Sequence, residues 1–264
     1  MKIVEILALY DEQERIRKER PLYQREMTAE VVRLISQDPS QPHFVMYSQL
    51  NESNADEIIQ REKAYYPNMG GAGLEWMLYE HDEPADLGER LRQHGFVPGA
   101  QEGLLVADLQ EWSEVYQQPI TADADYQIRR LVTSEEIGQL VQLQAQVYGQ
   151  DFSQLQTELE ENLMLEPDGW AIYGAYAEGQ LVCGAWISFP PKSSFATLSG
   201  GATLKAYRQR GLYLQMVATR ALMALARGYR FLLVYAGDMS RPILLKRGFR
   251  SLTHTYVYVW LPEP

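Results

Sequence analysis

Apolar residues along the chain keep two rhythms, one of helices and one of strands. Ile3, Ile6, Leu7 and Tyr10 recur at helical spacing and predict an amphipathic surface helix. The dense charge run after them, "DEQERIRKER", reads as its solvated extension. Strands are predicted near "EVVRLIS" and "HFVMYSQ", with a helix over "ESNADEIIQREKAYY". Then "LEWMLYEHDEPADLGERLRQHGFVPGAQEGLLVADL" reads as a strand, a Pro-started helix, a Gly-Phe stop at Gly95 and Phe96, and another strand. The end of the chain repeats that grammar. "RFLLVYAGDMSRPILLKRGFRSLTHTYVYVWL" predicts a strand, a helix with Pro242 in its first turn, a Gly-Phe stop at Gly248 and Phe249, and a closing strand.

The repetition points to an ancient duplication. A plainer reading also exists, since glycine suits a helix C-cap and the phenylalanine simply returns to the core. Between the two passages, "DLQEWSEVYQQPITADADYQ" is polar, carries Pro119 and lacks sustained periodicity, so it reads as a linker with a boundary near Ile120. Residues 1–120 and 121–264 are the two expected domains. In the second, "YQIRRLV" is a strand and "TSEEIGQLVQLQAQVYG" a helix opened by a capping box of Thr133 and Glu136. A helix over "FSQLQTELEENLML", a hairpin turning at Glu178-Gly179 and the strand "FATLSGGATL" follow.

Charge and cysteine usage narrow the function. With 35 acidic against 24 basic residues the net charge is -11, which argues against nucleic acid and anionic membrane as partners and favours a cationic or neutral small molecule. The single cysteine, Cys183, lies in the apolar run "LVCGAWISF" and reads as a small core residue. The amino-terminal apolar patch is broken by Glu5 and suits neither a signal peptide nor a bilayer span, so a cytoplasmic protein is expected. His43, His81, His94 and His254 are dispersed and form no metal-ligand set.

The segment "RQRGLY" lies between a strand and a helix whose Leu214, Val217, Ala221 and Leu225 keep helical spacing. Unpaired amides and the positive dipole end of such a helix make an anion site. Gly211 lets a ligand approach the backbone, and Arg208 and Arg210 add charge. A phosphate-bearing ligand is the expectation. Neither a P-loop nor a dinucleotide fingerprint is present. Gly200-Gly201 in the preceding strand predicts a bulge or a close approach by the same ligand.

From Tyr126 to Trp260 the chain resembles the GNAT superfamily of acyl-CoA-dependent N-acyltransferases. The pyrophosphate loop of that family has the form Gln/Arg-x-x-Gly-x-Gly/Ala, and here Arg208 and Gly211 match while Tyr213 replaces the small residue. The resemblance implies a mixed α/β (α+β) fold with a mostly antiparallel sheet flanked by helices, preceded by a degenerate GNAT-like half. That half lacks the loop and is expected to hold no cofactor. Acetyl-CoA is the implied cosubstrate, with no metal. Gly201, Ala202, Thr203 and Leu204 are implied to pair with its pantetheine arm, and Arg208, Gln209, Arg210, Gly211, Leu212 and Tyr213 to hold the pyrophosphate. Ser240 completes the implied cofactor set. The acceptor would be a small-molecule or exposed amine; the oligomeric state is left open.

In the family a tyrosine in the last helix often protonates the departing thiolate, but Leu244 stands at that place. Tyr235 is a substitute acid or a core tyrosine. Asp151 and Asp238 are candidate bases or turn formers, and His254 is a candidate base or a structural histidine. The competing class is a catalytically silent acyl-CoA sensor or scaffold.

Overall fold

The computed structural model describes residues 1–66, 72–111 and 126–262. The boundary expected near residue 120 lies outside them. Two compact units divide the chain. Unit 1 takes Met1–Leu105, Ala236–Ile243 and Ser251–Pro264; unit 2 takes Val106–Tyr235 and Leu244–Arg250.

Unit 1 opens with α1 (Ile3–Tyr10), which widens into a π-helical turn over Asp11–Ile16. Ile6 and Tyr10 of α1 face the core, but Ile3 is exposed. The charge run also departs from its solvated reading: Arg15 is fully buried and Glu14 nearly so. Then come β1 (Tyr23–Met27), which the alternation of residues did not predict, β2 (Val31–Ser36), β3 (His43–Ser48), α2 (Ala55–Tyr65), β4 (Leu74–Tyr79), α3 (Leu87–Gln93) and the short β5 (Val97–Pro98). The strand β6 (Glu102–Asp108) crosses from unit 1 to unit 2 after Leu105.

Unit 2 holds β7 (Gln127–Leu131), α4 (Ser134–Tyr148), α5 (Leu155–Leu165), β8 (Trp170–Ala177), β9 (Gln180–Ser188), β10 (Phe195–Thr203) and α6 (Leu212–Ala226). β11 (Phe231–Ala236), α7 (Arg241–Leu245) and β12 (Arg250–Trp260) complete the chain. All of β12 after Arg250 belongs to unit 1, where Thr255 to Trp260 pair antiparallel with Tyr79 to Leu74 of β4.

Strand order is β1-β2-β3-β4-β12 in unit 1 and β11-β10-β9-β8-β7 in unit 2. Within each of these orders one neighbouring pair, β3/β4 or β10/β11, is parallel and the others are antiparallel. In both units a helix crosses between the parallel strands, as a parallel pair requires. The Gly-Phe stops match in detail. Phe96 N–H reaches Leu91 O at 3.0 Å and Phe249 N–H reaches Leu244 O at 3.2 Å, with Gly95 and Gly248 at φ 85° and 82°. Each phenylalanine is buried, so the stop both satisfies a carbonyl and anchors the next strand.

Candidate functional site

The site begins where two strands of unit 2 part. β10 and β11 pair in parallel from Phe195↔Phe231 to Leu198↔Val234, and beyond that point β10 runs on to Thr203 without β11. The departure coincides with a bulge. Against β9, Ser199 faces Trp186 and Ala202 faces Gly184, so Gly200 and Gly201 stand opposite one residue. The paired glycines thus do form the expected bulge. Gly200 has φ 61°, and a Cβ there would lie 1.8 Å from the Trp186 ring. Only glycine fits.

Three side chains grip the bulge by consecutive carbonyls. Arg220 Nη1 of α6 donates to Ser199 O at 3.2 Å, Gln144 Nε2 of α4 to Gly200 O at 2.5 Å, and Tyr148 Oη to Gly201 O at 2.9 Å. Arg220 also donates to Trp186 O at 2.8 Å and Met216 O at 3.0 Å. Burial pushes its guanidinium down to about 10, so it stays a cation at neutral pH while meeting only carbonyl dipoles in these bonds. Burial pushes the Tyr148 phenol up, which keeps it a neutral donor.

The two helices lie on opposite faces of this sheet. A side chain at Gly184 would strike Leu140 and Leu143 of α4, whereas its neighbour Cys183 senses the charge of Arg220 on α6. Cys183 is buried, receives the Thr203 hydroxyl at 3.2 Å and has its thiol pushed up by burial. Such a thiol is a core group.

After β10 the chain passes through Leu204, a single turn at Lys205–Tyr207 and the loop Arg208-Gln209-Arg210 into Gly211, the N-cap of α6 at φ 80°. No side chain caps α6, and its first turn, with Leu212 and Tyr213, carries no acid. Arg208 Nε donates to Thr203 O at 3.1 Å, and Arg210 stacks on Tyr207 while Nη1 meets the Tyr126 hydroxyl at 3.1 Å. Both arginines are exposed. A side chain at Gly201 would come within 3.1 Å of the Tyr213 ring, so the glycine leaves the strand backbone bare beside that helix start. These residues suit a ligand with an extended arm and a phosphate.

The equivalent place in unit 1 is filled. β3 and β4 pair from His43↔Leu74 to Val45↔Trp76 and then part. There Arg15 Nε donates to Met46 O at 3.1 Å, Nη2 pairs with buried Asp82 at 2.7 Å, and the guanidinium lies 4.0 Å from the Tyr79 ring centre. The turn before α2 is occupied too: Asn51 Oδ1 accepts from Ser53 N at 2.9 Å and Asn54 N at 3.2 Å. Asp56 and Glu57 make the first turn of α2 acidic. An anion is disfavoured there and favoured at α6.

The candidates for proton transfer are distributed between the units. Asp151, exposed at the α4–α5 junction, accepts from Ser153 N at 2.8 Å and Ser153 Oγ at 3.2 Å, an Asx turn. Tyr235 is half-buried, one residue past the last parallel pair of β11. Asp238, Ser240 and His254 belong to unit 1. Asp238 is exposed, Ser240 Oγ donates to Gly237 O at 3.3 Å, and His254 Nδ1 meets Glu80 at 2.8 Å. Leu244 is buried.

Sequence reading missed Gln144 and Arg220. Both were legible as polar residues on buried stripes: Ile137, Leu140 and Gln144 in α4, and Leu212, Met216, Arg220 and Ala224 in α6. Of the stripe expected on α6, Val217 and Ala221 are buried while Leu214 and Leu225 are only half-buried, so the buried face is rotated toward Met216 and Arg220. Among the described residues, no helix is long and apolar enough to cross a membrane, and no group of three or more His, Cys, Asp and Glu is placed to hold a metal ion.

No family model and no curated protein matches the sequence. Solved structures do resemble the fold. A GCN5-related N-acetyltransferase from Kribbella flavida superposes with a TM-score of 0.66 at 17% identity, over 99% of this chain and 96% of that one. A tandem GNAT protein from the clavulanic acid biosynthesis pathway gives 0.63 at 11%, over 99% and 95%. A GCN5-related N-acetyltransferase from Sphaerobacter thermophilus gives 0.60 at 12%, over 98% and 91%. The chain has the GNAT fold, in the tandem arrangement, with a mostly antiparallel sheet flanked by helices.

Proposed function

We propose that the protein is an acyl-CoA-dependent N-acyltransferase that moves an acetyl group from acetyl-CoA to a small-molecule or exposed amine. The observation that carries this reading is the parting of β10 from β11 beside the uncapped, acid-free start of α6. The fold shared with GNAT proteins supports it.

In this reading the cosubstrate lies along β10 and the start of α6, and residues 1–120 hold none. The backbone from Gly201 to Leu204 pairs with the pantetheine arm, the amides from Gln209 to Tyr213 take the pyrophosphate, and Arg208 and Arg210 screen its charge. Ser240 keeps its place in the proposed cofactor set. The amine nitrogen attacks the thioester carbon, the C–N bond forms, and the C–S electron pair leaves with sulfur. A thiol of pKa about 8.5 leaves as thiolate without obligatory protonation, so Leu244 at the usual acid position does not block the reaction. Tyr235, by its place at the parting of the strands, is the proposed acid if one acts. Asp151, Asp238 and His254 remain the proposed acceptors of the ammonium proton.

The test is twofold. Calorimetry with acetyl-CoA should register binding that Gly211→Glu abolishes, because a side chain at φ 80° strains the loop and its carboxylate meets the phosphates. Thiol release from acetyl-CoA across a panel of amines should then be acceptor-dependent. No affinity for acetyl-CoA overturns the reading, and tight binding without acceptor-dependent release replaces the enzyme with a sensor.

A further inference from the structure

The bulge of β10 is held more firmly than a strand needs. Three consecutive carbonyls, of Ser199, Gly200 and Gly201, are each taken by a side chain, and the donors come from both faces of the sheet. Gln144 and Tyr148 stand one turn apart on α4, so the carbonyls of Gly200 and Gly201 are both turned toward that helix. A peptide unit is planar and trans, so its N–H lies on the edge opposite its C=O. The amides of Gly201 and Ala202 are therefore both turned away from α4, where successive carbonyls in a regular strand would point in alternate directions.

Gln144 is nearly fully buried, on a helix face otherwise given to Ile137, Leu140 and Leu143. A buried amide side chain costs free energy unless bonded, and a leucine or methionine would fill the space as well. Its contact is the peptide between the two glycines, which no side chain of their own restrains.

Resting on the acyltransferase reading above, we propose that Gln144 is a positioning residue: by holding the Gly200 carbonyl it orients the Gly201 N–H toward the thioester carbonyl of bound acyl-CoA. Negative charge grows on that oxygen as the amine attacks. A donor fixed in advance stabilises it without reorganising. A free glycine-glycine peptide could rotate, and its amide would lose that alignment. Arg220 holds the preceding plane and Tyr148 the following one, which leaves the middle plane to Gln144.

The experiment reads the thioester itself. Isotope-edited infrared difference spectra of carbonyl-labelled acetyl-CoA should show a lower carbonyl stretch when bound to the native protein than when free. In Gln144→Met the stretch should move back toward the free value while the acetyl-CoA Kd changes less than about threefold. With an acceptor in hand, kcat should fall about 10- to 100-fold at nearly constant acetyl-CoA KM. Gln144→Glu supplies an internal control in one folded protein. Its protonated carboxyl can donate to Gly200 O, and its carboxylate cannot, so the low-frequency band should be present at low pH and lost as pH rises, against a flat native profile.

A native-like band in Gln144→Met, or a pH-independent band in Gln144→Glu, overturns the positioning role. An unshifted band in the native complex overturns it too, and leaves cosubstrate binding standing. Absence of any binding by the native protein removes the acyltransferase reading, and the inference with it.

Discussion

Arg15 donates from Nε to the carbonyl of Met46 at 3.1 Å, at the point where β3 and β4 part. The same guanidinium pairs with Asp82, whose side chain is 3% exposed, and rests on Tyr79. A cation thus sits in unit 1 at the point where its parallel strands part.

Arg15→Leu should lower the stability of unit 1 by about 3 to 5 kcal/mol, because it leaves the Asp82 carboxylate buried and uncompensated. Arg15→Leu with Asp82→Leu should recover part of that loss, since the orphan charge is gone, although Tyr79 N–H then loses its acceptor. Urea unfolding of the single and double variants checks this; a double variant as unstable as the sum of its singles refutes the pairing.

The two bulge glycines should separate fold from ligand. Gly200→Ala combines a positive φ with a Cβ 1.8 Å from the Trp186 ring and should cost at least about 2 kcal/mol. Gly201→Ala meets only the Tyr213 ring, at 3.1 Å, and should cost less stability while weakening acetyl-CoA binding on that strand. Thermal unfolding alongside calorimetry distinguishes them.

Arg208→Ala should raise the acetyl-CoA KM about five- to thirtyfold at nearly constant kcat, equivalent to about 1 to 2 kcal/mol of phosphate contact. The ratio of mutant to native KM should shrink in high salt, where screening removes the native advantage. A fall in kcat alone would place the phosphates elsewhere.

Glu136 offers a pH signature. The backbone amide of Val132, with Arg129 and the Thr133 amide, holds its carboxyl down to about 2 from a usual 4.5. A folded pKa below the unfolded one contributes stability that is present above about 4.5 and is lost as pH falls toward 2. Glu136→Gln should therefore lower the melting temperature at pH 7, by a modest amount because its partner Arg129 is exposed to solvent, and the difference should close near pH 2. A constant difference across that range would show that the cap does not act through charge.

Local chemistry was legible in the residues alone. Thr133 and Glu136 form the expected capping box, Glu178-Gly179 turns the hairpin through φ 50° and 81°, and Gly95 and Gly248 end their helices in the left-handed region. Each of these rests on groups within about five residues of one another, so neighbouring letters determine them. The glycine turn before α6 was legible for the same reason.

Only the tertiary structure decided what lies inside. Arg15 reads as one more charge in a polar run, and becomes a buried plug because Met46 and Asp82 come from 31 and 67 residues away. Most of β12 follows a helix begun in unit 1 and ended in unit 2, yet it joins unit 1 because β4 offers it a paired edge. Gln144 finds the Gly200 carbonyl across 56 residues, and Arg220 finds Ser199 across 21. A polar side chain on an apolar stripe announces that it will be buried; which carbonyl it satisfies is settled only when strand and helix pack, because a buried donor must pair with whatever acceptor the fold brings to it.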